Sequence, residues 1–598
     1  FICTGNTTVM KSAFAYAKAA GIPIGWMSNR PAGEYVGLGY SWANLSAASY
    51  MSAEAGGKGT RTLEEFEKEG VALSVFNIDR QAGDGNAVYT TEAVDYYCSA
   101  AGRFKALCTN YPAWLIEKVE AAAKVYDGIR SEADLRAFAA EVAVDPTAKR
   151  FQNAAGEVVL HTDIAVSEAW TPIAGFAGVL DGNGKTLTVN YSGSDEQAGI
   201  FATLDGTVKN LRVAGSFTTT ATAKVTLGAV AGKLGEKAQI VGCTNTAGIA
   251  MNVDASGTTV IGGIFGQGAA GNVIADNTNE GRITVRRKTP GDAAAVAGVG
   301  GWAYSDVTGC VNKGEIRYSD EVSAAKAVYV GGVLGRLDIG KGYVVEGCRN
   351  EAPVTQATAQ AANNLLGGIA AYANGENRDT PNTIRNCENR GDVLADAPVS
   401  DKAKTGQARM GGICGGTAVF EGNTNYGKVE ARGGGKGASE FSIGGISGMI
   451  AHDATGCRNF GDVLNNTGRE NLLAHTGGLF GWATLAFTIT DCALDADVVS
   501  TTLYNYDGDK GTTADPAHEN SSCAGVLVGR IKSKIEVTVE SVKIYGKLTR
   551  TINAEGQTRT IDFTTTVPAD NYLYGALQDA ASKLIVGQGA ITCVSTAK

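Results

Sequence analysis

The chain has 598 residues, 44% of them apolar, with 80 glycines against 11 prolines. It is long enough for several domains and for a large core, and it does not read as a low-complexity linker. A net charge of −9 without any cluster of Lys and Arg excludes the electrostatic footprint of a nucleic-acid binder, and the lack of an apolar run of about 18 residues argues against a membrane-spanning helix.

The opening stretch FICTGNTTVM has no initiating Met, basic n-region or apolar h-region. The sequence therefore reads as cut from a longer product, with any secretion signal lying outside it. Residues 1–128 are expected to form an α/β segment, a fragment of a larger domain. FICTGN, the helical TTVMKSAFAYAKAAG and IPIGWMSN give strand, helix, strand; VALSVFNID followed by TTEAVDYYCSAAGRFKAL repeats the order. The stretch from Thr4 to Asn29 is faintly similar to the phosphosugar-binding SIS fold, but Thr7 and Thr8 read far better as helix caps. Residues 129–150 carry a capping helix, SEADLRAFAAEV, in which Ser131 and Asp134 form a capping box with Asp in the Glu position.

From 151 to 530 the chain repeats itself. A marker recurs every 33 to 39 residues as Cys243, Asn277, Cys310, Cys348, Cys387, Asn423, Cys457 and Cys492. Two residues past it stand Asn245, Asn279, Asn312, Asn350, Asn389, Asn425 and Asn459, and four past it Gly281, Gly314, Gly391, Gly427 and Gly461. Each unit also carries a Gly-Gly-apolar-x-Gly segment such as GGIFG or GGVLG. A fixed period identifies stacked units that bury their apolar faces only against neighbours. Alternating apolar residues in short β-branched runs favour strands over helices. The expected fold is mainly β: a right-handed parallel β-helix of about 35 residues per coil, with three strands in each. The asparagines are expected to form a structural amide ladder, the glycines to supply φ > 0 turns, and the cysteines to stack as reduced, buried hydrophobes.

The stretch from Ile129 to Val213, followed by the iterated GGIxG and Cys-x-Asn-x-Gly units, resembles the GLUG-repeat surface proteins abundant in Bacteroidetes and found beside IgA-peptidase-type modules. The resemblance covers roughly residues 129 to 530. It implies an exported β-helix serving as an adhesin or surface-binding scaffold at the outside of a bacterium, and it implies no catalytic site. Ala352 replaces one corner Gly, while Leu494 and Ala496 break the pattern in its last unit. Residues 531–598 are expected to close the far end as a β-rich cap, with a helix in ADNYLYGALQDAASKLIV.

Chemistry is sparse. Acids such as Asp392 and Asp462 sit at turns, no Asp-Asp pair occurs, and Cys414 varies with Phe265 and Leu334 in other units as a core filler does. His452 and His518 read as exposed bystanders. No cofactor is expected, calcium being the one candidate: Asp507, Asp509 and Asp515, with Glu519 nearby, have a spacing compatible with a calcium loop but lack the EF-hand pattern. The best ligand-binding candidates are Trp302, Tyr304, Tyr343 and Tyr372, within an aromatic series that also holds Tyr318 and Tyr329, together with the enlarged loops after Tyr372 and Asp396. The expected partner is a glycan or a host surface or matrix protein. A neutral glycan suits the acidic chain better than a polyanion. A β-helix polysaccharide lyase or hydrolase and a purely structural stalk are the alternatives.

Overall fold

The computed structural model describes residues 7–22, 25–27, 32–37, 40–46, 63–76, 97–98, 100–108, 112–123, 125–288, 291–320, 326–358, 363–374, 379–396, 407–433, 440–467, 474–502, 522–552 and 556–595. It divides into two units, Phe1–Tyr126 and Asp127–Lys598.

In the first unit, parallel strands Gly25–Met27, Trp42–Ser46, Ala72–Phe76 and Ala106–Leu107 lie side by side in chain order. Helix Thr7–Ala19 precedes the first strand, Ala32–Gly37 and Leu63–Lys68 lie in the first two crossovers, and Pro112–Ala123 follows the last strand. Tyr35 is fully buried, with edge-on contacts to Tyr40 and Phe66. Two elements differ from expectation. Ala106–Leu107, read as the end of a helix, pairs with Ser74 and Val75 as a strand. Trp42–Ser46 has few β-formers and was not legible as a strand; pairing on both sides holds it there. FICTGN and the side chains of Thr7 and Thr8 fall outside the described residues.

The second unit is mainly β, with long parallel sheets compatible with a β-helix. It opens with helix Glu132–Val144, whose N-cap is a reciprocal box. Ser131 accepts from the Asp134 amide at 3.1 Å, and Asp134 accepts from the Arg130 amide at 3.1 Å. Phe138 on this helix meets Phe151 and Phe176, and Phe176 stacks on Phe201 with centroids 5.3 Å apart. The helix thus covers apolar side chains that the first strands would otherwise leave open.

Each repeat visits four sheets rather than three. One unit places Val273–Ala275 in sheet I, Thr278–Asn279 and Ile283–Arg287 in sheet II, Ala294–Ala297 in sheet III and Gly300–Ala303 in sheet IV. Val307–Thr308 then returns to sheet I. Equivalent strands pair in parallel and in register, Asn279 facing Asn312, Ile283 facing Ile316 and Val296 facing Val330. The extra sheet arises at the Gly-Gly corner, where the chain turns sharply enough that the strands on either side join different sheets. Sheets III and IV then approach so closely that a Cβ on Gly266 would lie 2.7 Å from the Leu227 amide nitrogen. That column is glycine at Gly232, Gly266, Gly301 and Gly335, with Ala371 in the next repeat.

The asparagines form one continuous row. Asn245 donates from Nδ2 to Oδ1 of Asn279, which does the same to Asn312, and so on through Asn350, Asn389 and Asn425 to Asn459, with N···O distances of 2.7 to 2.8 Å. The same nitrogens reach the carbonyl two residues on, as in Asn279 to Gly281 at 2.9 Å. All seven side chains are fully buried. The marker position forms a second row, in which the Cys243, Cys348, Cys387 and Cys492 thiols each point at a sheet I carbonyl of the preceding repeat. Where Asn277 replaces Cys, its Oδ1 accepts from the Cys243 amide and its Nδ2 donates to the Ile240 carbonyl. Among the described residues the cysteines are free thiols.

The corner glycines work differently from expectation. Gly281, Gly314, Gly391, Gly427 and Gly461 do not have positive φ. They are small because of close approach: a Cβ on Gly314 would sit 2.0 Å from the Gly281 carbonyl oxygen. The left-handed turn lies one residue before the marker, at Asn210, Gly242, Asp276, Gly309, Gly347, Asn386, Gly422, Gly456 and Asp491, with φ between 49° and 66°. Gly, Asn and Asp are the residues that tolerate this conformation.

The parallel sheets run on past residue 530. Val528–Ile531, Tyr574–Leu577, Lys583–Val586 and Ile591–Cys593 all extend sheets I, II and IV, and one antiparallel hairpin joins Lys547–Thr551 to Thr558–Asp562. The helix expected near residue 570 shrinks to Asp570–Leu573, because the next residues pair as strands.

Candidate functional site

Register on sheet IV aligns Gln267, Trp302, Arg336 and Tyr372 in one column across four repeats. The neighbouring column on sheet III carries Ala295, Tyr329, Leu365 and Arg409. The two columns meet at Arg336. Its guanidinium carbon lies 4.1 Å from the Trp302 ring centroid, 5.5 Å from that of Tyr329 and 5.9 Å from that of Tyr372, all within cation–π range. Trp302 also stacks on Tyr304, with centroids 5.4 Å apart and planes 14° from parallel, and Tyr329 packs on Tyr372 at 5.6 Å. All five side chains are half-buried, and burial raises the phenol pKa of Tyr304 and Tyr372. The Trp302 indole nitrogen and Arg336 Nε are buried without a hydrogen-bond partner.

Further along sheet IV the pattern recurs, with Met449, Trp482 and Arg530 in register. Trp482 contacts His475, Arg409 and Lys532, and Arg530 Nη1 lies 3.1 Å from His475 Nε2. Burial, reinforced by the charges of Arg530 and Arg409, pushes the fully buried His475 well below its ordinary pKa and keeps it neutral.

Of the aromatic residues singled out in the sequence, Trp302, Tyr304 and Tyr372 gather around Arg336, and Tyr329 joins them. Tyr343 does not: it sits at the start of a sheet I strand, its amide donating to Asn382 Oδ1 at 2.8 Å, and it shares no ring contact with the others. Tyr318 is buried within sheet II, donating to Asp320 at 2.5 Å. Burial raises the Asp320 carboxyl to about 6. His452, read as exposed, is buried with Nε2 3.1 Å from Asn374 Nδ2, because the turn before sheet I folds it inward. Cys414 is buried core, bridging Ala370 and Ser447 where sheet IV narrows to single bridges.

Asp392 and Asp462 act as caps between repeats, accepting from the amides of Lys428 and Asp497 at 3.0 Å. The calcium candidates Asp507, Asp509 and Asp515, with His518 and Glu519, lie outside the described residues, as do 375–378 and 397–406 of the enlarged loops. Among the described residues no group of three or more His, Cys, Asp or Glu could hold a metal ion, and no helix is long and apolar enough to cross a membrane.

Sequence reading missed Arg336, Trp482 and Arg530. A signal for them exists: GGWA at 300–303 is followed one repeat later by LGRL at 334–337, and FGWA at 480–483 by VGRI at 528–531. Two Trp-then-Arg pairs at the same place in the repeat predict a stack only once the register is known. Comparison with known proteins returned no matching family model, no matching curated protein and no matching solved structure.

Proposed function

We propose that the chain is an extracellular or cell-surface adhesin or scaffold of GLUG-repeat type, built as a right-handed parallel β-helix of about 35 residues per coil. It binds a glycan, on a cell or in the host matrix, through the sheet IV face. The observation carrying this reading is the assembly of Trp302, Tyr304, Tyr329 and Tyr372 around Arg336 from three successive repeats. Half-buried aromatic faces offer stacking surface to sugar rings while backbone register holds them rigid, so little ordering entropy is lost on binding. The test is a glycan array probed with the wild-type protein and with Trp302→Ala and Tyr372→Ala. Binding that is lost in both variants, with the thermal midpoint nearly unchanged, supports the reading. Release of reducing sugar from a bound polysaccharide would favour a hydrolase instead, and variants that unfold without a separable binding defect would make these residues packing alone.

A further inference from the structure

We propose that the glycan bound on this face is anionic, its sugars carrying carboxylate or sulfate groups, with Arg336 as the primary anion contact and Arg530 as a second. This rests on the glycan-binding reading above and reverses the sequence-based preference for a neutral ligand.

Arg385 and Arg432, on sheets I and II, reach Glu346 and Glu430 at 2.8 Å, and Arg390 pairs with Glu388. Arg336 has no ion pair or hydrogen bond within the described residues, and there the one polar side-chain partner of Arg530 is the neutral His475. Both are half-buried on a protein whose net charge is −9. A guanidinium is expensive to remove from water without a counter-charge, and an aromatic stack compensates only part of that cost. Arg336 and Arg409 both act on Tyr372, and Arg530 and Arg409 on His475, while Tyr304 also feels the Asp338 carboxylate.

Geometry favours a polymer with spaced charges. Trp302 and Arg336 occupy adjacent rungs, as do Trp482 and Arg530, so each cation has a stacking surface one strand spacing of about 4.8 Å away, and Tyr372 and Met449 lie in the same column between the two pairs. The planar guanidinium, 4.1 Å from the Trp302 ring centroid and without an ion-pair partner among the described residues, can receive a carboxylate or a sulfate through its two Nη groups. A sugar ring carrying that anion would rest against Tyr304 or Tyr372.

The test measures binding of the full chain to polygalacturonate, dextran sulfate, methyl-esterified polygalacturonate and dextran at low and high salt. Binding to polygalacturonate, to dextran sulfate or to both, weakened by salt and reduced about tenfold or more in Arg336→Gln, supports the proposal. Which of the two is bound names the anionic group. Arg530→Gln, a second variant with its own thermal midpoint, should weaken the longer chains, which keeps the test decisive if Arg336→Gln fails to fold. Equal binding of dextran by wild type and Arg336→Gln, lost in Trp302→Ala, overturns the anionic assignment and leaves the glycan-binding reading standing. Binding to none of the four probes or to any array glycan overturns both.

Discussion

Asn312 and Asn350, 38 residues apart in sequence, share one hydrogen bond of 2.8 Å, and the same Asn312 nitrogen donates to the Gly314 carbonyl at 3.0 Å. One side chain thus ties its own corner and the next repeat together, in a fully buried place where an unmet amide is costly. Asn350→Ala removes the acceptor for Asn312 and the donor for both Asn389 and the Ala352 carbonyl. It should destabilise the protein by about 2–4 kcal/mol in urea titration. A loss under about 0.5 kcal/mol would mean that water or backbone replaces the row.

Two kinds of glycine should respond oppositely to substitution. Gly347 has φ of 60° and open space around its Cβ position, and Asn210 and Asn386 hold the same place in other repeats. Gly347→Asn should leave the thermal midpoint nearly unchanged. Gly314→Ala should cost about 2–3 kcal/mol, since the new methyl collides with the Gly281 carbonyl. Equal effects from the two would refute the distinction between turn and close approach.

Asp320 predicts a pH dependence. Its folded carboxyl sits near 6, above the ordinary 3.8, because burial penalises the charge more than the Tyr318 hydroxyl and Arg287 relieve it. The folded state therefore holds this proton more tightly than the unfolded chain. Its contribution is fully present below about 3.8 and lost as pH rises through about 6, leaving a cost of about 3 kcal/mol at neutral pH. Asp320→Asn, which keeps an acceptor for Tyr318, should be more stable than wild type at pH 7.5 and nearly equal to it at pH 4. The same difference at both pH values in urea titrations would remove the carboxylate as its cause.

Thiol accessibility should split the cysteines. Cys108 is exposed, whereas the Cys243 and Cys414 thiols are fully buried and pushed up to about 12 by burial. Cys310 is raised as well, first by its neighbour Cys348 and then by burial. Iodoacetamide on the native protein should modify Cys108 within minutes and leave Cys243, Cys310, Cys348, Cys387 and Cys414 untouched until urea is added, as read by peptide mass spectrometry. Rapid native labelling of Cys348 would show that the repeats open locally.

Much of this architecture was legible because its strongest constraints are local and repeated. The Asn two past each marker recurs at a fixed offset, so the row could be read from spacing alone. The left-handed position is equally visible, since Asn210, Asp276, Asn386 and Asp491 alternate with Gly one residue before the marker, and these are the residues that tolerate positive φ. The split into sheets III and IV was not legible, because two glycines mark a turn without saying which sheet the next strand joins. The site was half legible. Aromatic residues stand out in a Gly-rich chain, but Arg336 becomes informative only when pairing lays it over Trp302, and Tyr318 faces inward through a strand parity that a list of aromatics does not reveal.

The amide row has a direction, and both of its ends are closed by backbone. Asn245 Oδ1 accepts from the Ala247 amide at one end, and Asn459 Nδ2 donates to the carbonyls of Gly461 and Gly478 at the other, where Leu494 follows. Every interior amide presents its oxygen backward and its nitrogen forward, so any unit is interchangeable with its neighbours at the seam. A gene duplication that inserts one more unit, or a deletion that removes one, rejoins the row without stranding a donor or an acceptor. The length of such a protein can therefore drift by whole repeats at little energetic cost, with selection acting on reach.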